Sequence, residues 1–360
     1  MKPARIAMTA ILLAASGLMA KAADLSVGIV LPTKDQTRWL QDEARFQALK
    51  AAGYNIEILW SQNDPAKEKT NVESLLTKGA KVIILCAVDS AAAAASANEA
   101  HASGAKVIAY DRLIMNTPNV DFYVTFDSVQ VGEAWGKYLV SKVKGKGNNL
   151  FLYAGAASDN NAFLFFQGAW NHLQPKIADG TFVVQNSSQA IALKGKAKLT
   201  RKEEGMIIGQ VATNWSFSDA KTLAEANLTA VGKAAKGNVY ILGPNDDTSR
   251  AIGDVFATDK DVSHYFITGQ DAEPPSIQYI IDGKQSMTVL KDTRTLVADA
   301  VAAALGYLKG IKPAHTTTYD NGKAQIAAKP TAIVTVTKEN VKQTIFDSGY
   351  YKIGDFKNIN

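Results

Sequence analysis

Short apolar runs rich in Val and Ile recur about every 25 to 30 residues with helical patterns between them, a rhythm that admits little besides βαβ units on mainly parallel sheets. In the first half the expected strands are Leu25 to Leu31, Ile56 to Trp60, Val82 to Ala87, Val107 to Tyr110 and Phe122 to Phe126. Helices are expected around 37–51, 66–78, 90–102 and 129–143, the second opening on Asp64-Pro65, a capping residue followed by a proline at the first helical position. The run Val82 to Val88 is continuously apolar, as a parallel strand covered on both faces must be, and it contains Cys86, the chain's one cysteine.

The pattern then restarts. Strands are expected at Leu150 to Tyr153, Phe182 to Val184, Val239 to Leu242 and Phe266 to Thr268, and helices near 160–173, 216–229, 247–257 and 273–282. A further strand at Met287 to Leu290, an Ala-rich helix from Thr293 to Lys309, a loop at Asp320-Asn321-Gly322 and a last strand at Ile333 to Thr337 follow. This tail is too short for a third domain, so the chain is expected to return to the first unit and then to the second. The fold class is therefore α/β, two doubly wound parallel-sheet lobes joined by a three-segment hinge of the kind that closes a cleft. The expected boundaries are 23–127 plus 291–313 for the N-terminal lobe and 128–290 plus 314–360 for the C-terminal lobe.

Lys2 and Arg5 precede an apolar run from Ile6 to Ala20 that ends in Ala20-Lys21-Ala22, which reads as a signal peptide over 1–22 with cleavage near Ala22 and export to a periplasm. Its removal takes away Lys2, Arg5 and Lys21 and no acid, so the formal charge falls from +5 to +2. Nothing basic enough for nucleic acid remains. One cysteine allows no internal disulfide. No P-loop, Gly-x-Gly-x-x-Gly, Gly-x-Ser-x-Gly or His-Glu-x-x-His is present, and His101, His172, His264 and His315 are scattered. Neither enzyme chemistry, a cofactor nor a metal is called for, and a monomer is expected.

The unusual polar residues fall where the strands end, which is where open α/β sheets bind ligands. Strand ends lead into Lys34 to Trp39, Tyr110-Asp111-Arg112, Ser158-Asp159-Asn160-Asn161, Asn245-Asp246-Asp247, Gly269-Gln270-Asp271-Ala272 and Lys291-Asp292. Carboxylates accept from hydroxyls, Asn does both, and Arg and Lys donate, so the set suits a neutral polyhydroxylated ligand. Trp39 and Trp215 offer flat faces for the C–H side of a sugar ring. Each residue also has a plain structural reading: Asp159 and Asp246 as helix caps, Asp111-Arg112 as a local ion pair, Trp39 and Trp215 as core, and Phe163, Phe165 and Phe166 as helix packing with room for one ring at the cleft. The basic stretch within 185–213 holds Lys194, Lys196, Lys198, Arg201 and Lys202. It reads as a solvated face, with Thr200 to Glu203 as a capping box.

The motifs Pro-Thr-Lys-x-x-x-Arg-Trp at 32–39, Val-Ile-Ala-Tyr-Asp-Arg-Leu-Ile at 107–114, Asp-Asn-Asn-Ala at 159–162, Gly-Gln-Asp-Ala at 269–272 and Lys-Asp-Thr-Arg at 291–294 carry a resemblance. Over nearly the whole mature chain the sequence resembles the periplasmic sugar-binding proteins of ABC transporters, in the xylose-binding and multiple-monosaccharide-binding branch. That resemblance implies capture of an aldopyranose such as xylose, glucose, galactose or arabinose by hinge closure, with delivery to an ABC permease and its ATPase. The alternative it leaves is a sugar sensor read by a chemoreceptor or sensor kinase. The residues matching the family's sugar contacts are Lys34, Arg38, Trp39, Asp111, Arg112, Asp159, Asn161, Trp215, Asn245, Asp271 and Lys291.

Overall fold

The computed structural model describes residues 26–51 and 54–359. The expected signal peptide lies outside the described residues. Among them, no helix is long and apolar enough to cross a membrane.

The first lobe is built from β1 (Val27–Leu31), α1 (Thr37–Ala51), β2 (Ile56–Trp60), α2 (Pro65–Thr77), β3 (Val82–Leu85), α3 (Ala93–Ala102), β4 (Lys106–Tyr110) and β5 (Phe122–Phe126). The second runs through α4 (Ser128–Lys142), β6 (Asn148–Leu152), α5 (Asn160–Ala178), β7 (Phe182–Val184), α6 (Ser188–Ala192), α7 (Arg201–Val211), α8 (Phe217–Ala230), β8 (Gly237–Leu242), α9 (Asp246–Thr258), β9 (Val262–Ile267) and α10 (Pro274–Ile281). Then come β10 (Thr288–Lys291), α11 (Thr293–Leu308), β11 (Thr317–Asp320), β12 (Gln325–Thr331) and β13 (Ile333–Val336).

The strands assemble into a seven-stranded sheet ordered β11-β12-β5-β4-β3-β1-β2, a four-stranded sheet β7-β6-β8-β9, and a two-stranded sheet of β10 with β13. Every pairing among β1 to β5 and among β6 to β9 is parallel. Strands such as β3, buried at all four positions, are covered on both faces and so must be apolar throughout. Burying side chains of this kind is worth about 1.5–3 kcal/mol each.

One expected boundary is corrected. The sequence pattern puts residues 314–331 with the second lobe, but β12 pairs in parallel with β5, Ala328 opposite Tyr123, and β11 pairs antiparallel with β12. The hairpin covers the free edge that β5 would otherwise leave, with Tyr319 edge-on to Tyr123. Only from about Ile333 does the tail rejoin the second lobe. There β13 pairs with β10, and Val341, Ile345, Phe346 and Tyr350 pack against Ile277, Ile280 and Ile281 of α10. The chain thus crosses between lobes after β5, after β10 and before β13.

Two helices of the second lobe approach unusually closely. A Cβ on Gly132 of α4 would stand 1.9 Å from the carbonyl oxygen of Phe165, and one on Gly168 of α5 would stand 2.0 Å from that of Val129. This contact fixes α5, whose N-terminus carries Asp159 to Asn161 into the gap between the lobes. The basic excursion folds as α6 and α7, and the Thr200–Glu203 capping box is formed in both directions. Lys196 pairs with Glu203, and the Arg201 guanidinium lies over the Phe163 ring.

Candidate functional site

Most of the strand-end loops of both lobes meet at one space, lined by Gln36, Arg38, Trp39, Asp111, Arg112, Asp159, Asn161, Phe165, Trp215, Asn245, Gln270, Asp271 and Lys291. Ten of the eleven residues singled out from the sequence are therefore brought together here. The eleventh, Lys34, is not. It is exposed, and its ammonium stands 5.1 Å from the Trp60 ring, away from the lining.

Arg38 is the junction. Its Nε donates to Asp42 Oδ2 at 2.7 Å, Nη2 to Asp111 Oδ2 at 2.9 Å and Nη1 to Asp271 Oδ1 at 3.2 Å. Lys291 Nζ lies 2.8 Å from Asp271 and 3.9 Å from Asp111. Burial would push the Asp111 carboxyl up, but Lys291, Arg38 and Arg112 outweigh it and hold the group below its ordinary value. Asp42 lies behind, fully buried, taking a hydrogen bond from the Tyr110 hydroxyl; there burial outweighs Arg38 and the carboxyl is pushed up.

A second cluster faces the first. Arg112 Nε lies 3.0 Å from Asp159 Oδ2, the oxygen that also accepts from Trp215 Nε1 at 3.2 Å. Asp159 Oδ1 takes the N–H of Asn161 at 2.9 Å, so this residue both caps α5 and faces the space. Burial pushes its carboxyl up against the pull of Arg112. Asp246, the other candidate cap, is wholly buried and serves the scaffold: Oδ2 accepts from Glu273 N–H at 2.9 Å and Oδ1 from Gln285 Nε2 at 2.7 Å.

Backbone strain concentrates at the same place. Asp111, Trp215 and Asp271 have φ of 62°, 57° and 99°, left-handed values that cost L residues free energy and persist only where the surroundings over-determine them. At Asp111 the cause is visible, since its carbonyl accepts from the Tyr123 hydroxyl, the Thr125 hydroxyl and Asn161 Nδ2 at 2.9, 3.1 and 2.9 Å. At Trp215 the ring lies over Gly155, where any Cβ would stand 1.9 Å from Cζ2.

The lobes also touch directly. Gln36 Nε2 donates to the Trp215 carbonyl at 2.9 Å while its Oε1 takes the Trp39 indole N–H at 2.8 Å. On the other flank the Ser90 N–H donates to the Ser158 carbonyl at 2.9 Å, and the Asn160 N–H to Ser90 Oγ at 3.0 Å. Sequence reasoning missed Gln36, Phe165 and Gln270 as lining residues. Gln36 and Gln270 stand within the strand-end stretches 34–39 and 269–272, and Phe165 within the aromatic run at the start of α5, but none is among the eleven. Gln270 Oε1 is buried without a hydrogen-bond partner in the protein. Among the described residues no three His, Cys, Asp or Glu side chains gather as a metal site requires.

Two parallel α/β lobes, three crossings and a polar space walled by both lobes define a hinged solute-binding architecture. The family model for the periplasmic binding protein domain matches residues 27–312, and the chain belongs to that family. It is 34% identical over 346 residues to the multiple sugar-binding periplasmic receptor ChvE of Rhizobium radiobacter, covering 92% of each chain. It is 26% identical over 338 residues to the D-xylose-binding periplasmic protein of Escherichia coli, covering 94% of each. A carbohydrate transporter solute-binding protein of Chloroflexus aurantiacus, solved in complex with D-glucose, superposes with a TM-score of 0.92 at 62% identity over 93% of this chain and 99% of that one. An ABC transporter solute-binding protein of Clostridium phytofermentans with bound β-D-glucose follows with a TM-score of 0.81 and 30% identity, over 92% and 99%.

Proposed function

We propose that this protein captures a neutral monosaccharide of the aldopyranose class between its lobes and hands it, chemically unchanged, to an ABC permease driven by its ATPase. The observation that carries the reading is the balanced lining: three cations (Arg38, Arg112, Lys291) face three carboxylates (Asp111, Asp159, Asp271) within one small space. An anionic ligand calls for surplus cation, whereas a sugar's hydroxyls use donors and acceptors together. Asn161, Asn245 and the unpartnered Gln270 Oε1 extend the hydrogen-bonding set, and Trp39, Trp215 and Phe165 supply apolar faces. Bound glucose in two solved relatives of 62% and 30% identity supports the class.

Relatives described as transporter solute-binding proteins favour transport over sensing. The periplasmic relatives support a periplasmic location reached through the N-terminal signal. Titration calorimetry with D-glucose, D-xylose, D-galactose and L-arabinose tests the reading, with D-glucuronate as the charged control. Micromolar or tighter binding of a neutral sugar, about 8 kcal/mol, is expected. Binding of the uronate alone, or conversion of the sugar, would overturn it.

A further inference from the structure

We infer that Glu273 is a latch between the lobes, holding the start of α1 whichever sugar fills the cavity, an inference that rests on the function proposed above. Glu273 is fully buried yet does not line the cavity. Its Oε1 accepts the backbone N–H of Arg38 at 3.3 Å, across the boundary from the second lobe to the first. Arg38 is the second residue of α1, so its N–H has no carbonyl within the helix to bond. The start of a helix is also where a carboxylate is favoured.

Everything else that holds Glu273 belongs to the second lobe. Its Oε2 takes Arg250 Nη1 at 2.8 Å, and Arg250 is itself fixed by Asp247 at 2.7 Å and Ser276 Oγ at 2.6 Å. Its N–H is held by Asp246. The carboxylate is thus oriented before the lobes meet, and the bond to Arg38 forms only on closure, with little ordering left to oppose it. Arg38 is then gripped twice from the second lobe, by Asp271 at the guanidinium and by Glu273 at the backbone.

A residue that touches the sugar alters the ratio of affinities for sugars differing at that contact. A latch outside the cavity changes all of them by one factor. Stopped-flow tryptophan fluorescence with D-glucose and D-xylose on the wild type, Glu273→Ala and Glu273→Gln separates the two. In Glu273→Ala the dissociation rates of both sugars should rise by a common factor on the order of tenfold, as expected for loss of a buried hydrogen bond. Association rates should stay within about twofold. Glu273→Gln keeps an acceptor for Arg38 and should show a smaller common rise; it also carries the test where the alanine variant fails to fold. Unchanged dissociation rates, or factors that differ between the sugars by more than about threefold, would overturn the latch, since a lost interface contact shows mainly in the dissociation rate. Wild-type binding of neither sugar would remove the function and the latch together.

Discussion

Asp111 and Asp271 reach the guanidinium of Arg38 from different lobes, at 2.9 and 3.2 Å, each from a backbone at positive φ. Asp111 belongs to the same lobe as Arg38, whereas Asp271 reaches it from the other lobe. Asp271→Ala should therefore cost on the order of 2 kcal/mol or more in sugar affinity, because it leaves Arg38 and Lys291 short of a partner together. An unchanged dissociation constant in titration calorimetry would sink this assignment.

Gly155 is the floor on which the Trp215 ring rests. Gly155→Ala should push the indole off its bond to Asp159 and weaken sugar binding by about tenfold, with about 1–3 kcal/mol lost from stability through overpacking. Calorimetry and urea unfolding read the two effects separately. A variant that binds as the wild type does would show that Trp215 has no part in holding the ligand.

Lys34 and Gln36 lie two residues apart but differ in placement. Lys34→Ala should leave affinity unchanged within about twofold, as an exposed cation contributes little. Gln36→Ala should weaken binding roughly fivefold, since it removes the bridge from Trp39 to the Trp215 carbonyl, a loss of about 1 kcal/mol. The reverse ranking in a fluorescence titration would refute the placement of both side chains.

Glu68 gives a pH prediction. Burial pushes its carboxyl from an ordinary 4.5 up to about 7, against the Val88 N–H and Arg112. The folded state therefore holds the proton more tightly than the unfolded chain. Stability from this group is fully present below about 4.5 and is lost as pH rises through about 7, by up to about 3 kcal/mol. Glu68→Gln keeps an acceptor for Val88 and removes the titration. It should unfold at higher urea than the wild type at pH 8, the two converging below about pH 4.5; parallel pH profiles would count against it.

The parallel strands were legible because burial on both faces makes them continuous apolar runs; β3 and β5 are buried at every position. The hairpin was not, because β11 is mostly exposed and β12 only partly covered, so neither writes such a run. Asp320-Asn321-Gly322 marked its turn but not the partner strand. At the site, charged residues at strand ends stood out, since charge is rarely placed there without a partner. Gln36 and Gln270 did not, because a neutral amide in a loop looks the same whether it faces solvent or a cavity. Lys34 shows the converse: within one polar loop, spacing alone does not tell which cation turns inward.

The pairing of β12 with β5 has a consequence for biosynthesis. The first lobe is discontinuous in the chain, and its sheet gains its last two strands only from residues 317–331, after α4 to α10 of the second lobe have been made. A ribosome must have delivered most of the polypeptide, through residue 331, before that lobe can finish, so the nascent first lobe stays incompletely folded until late in synthesis.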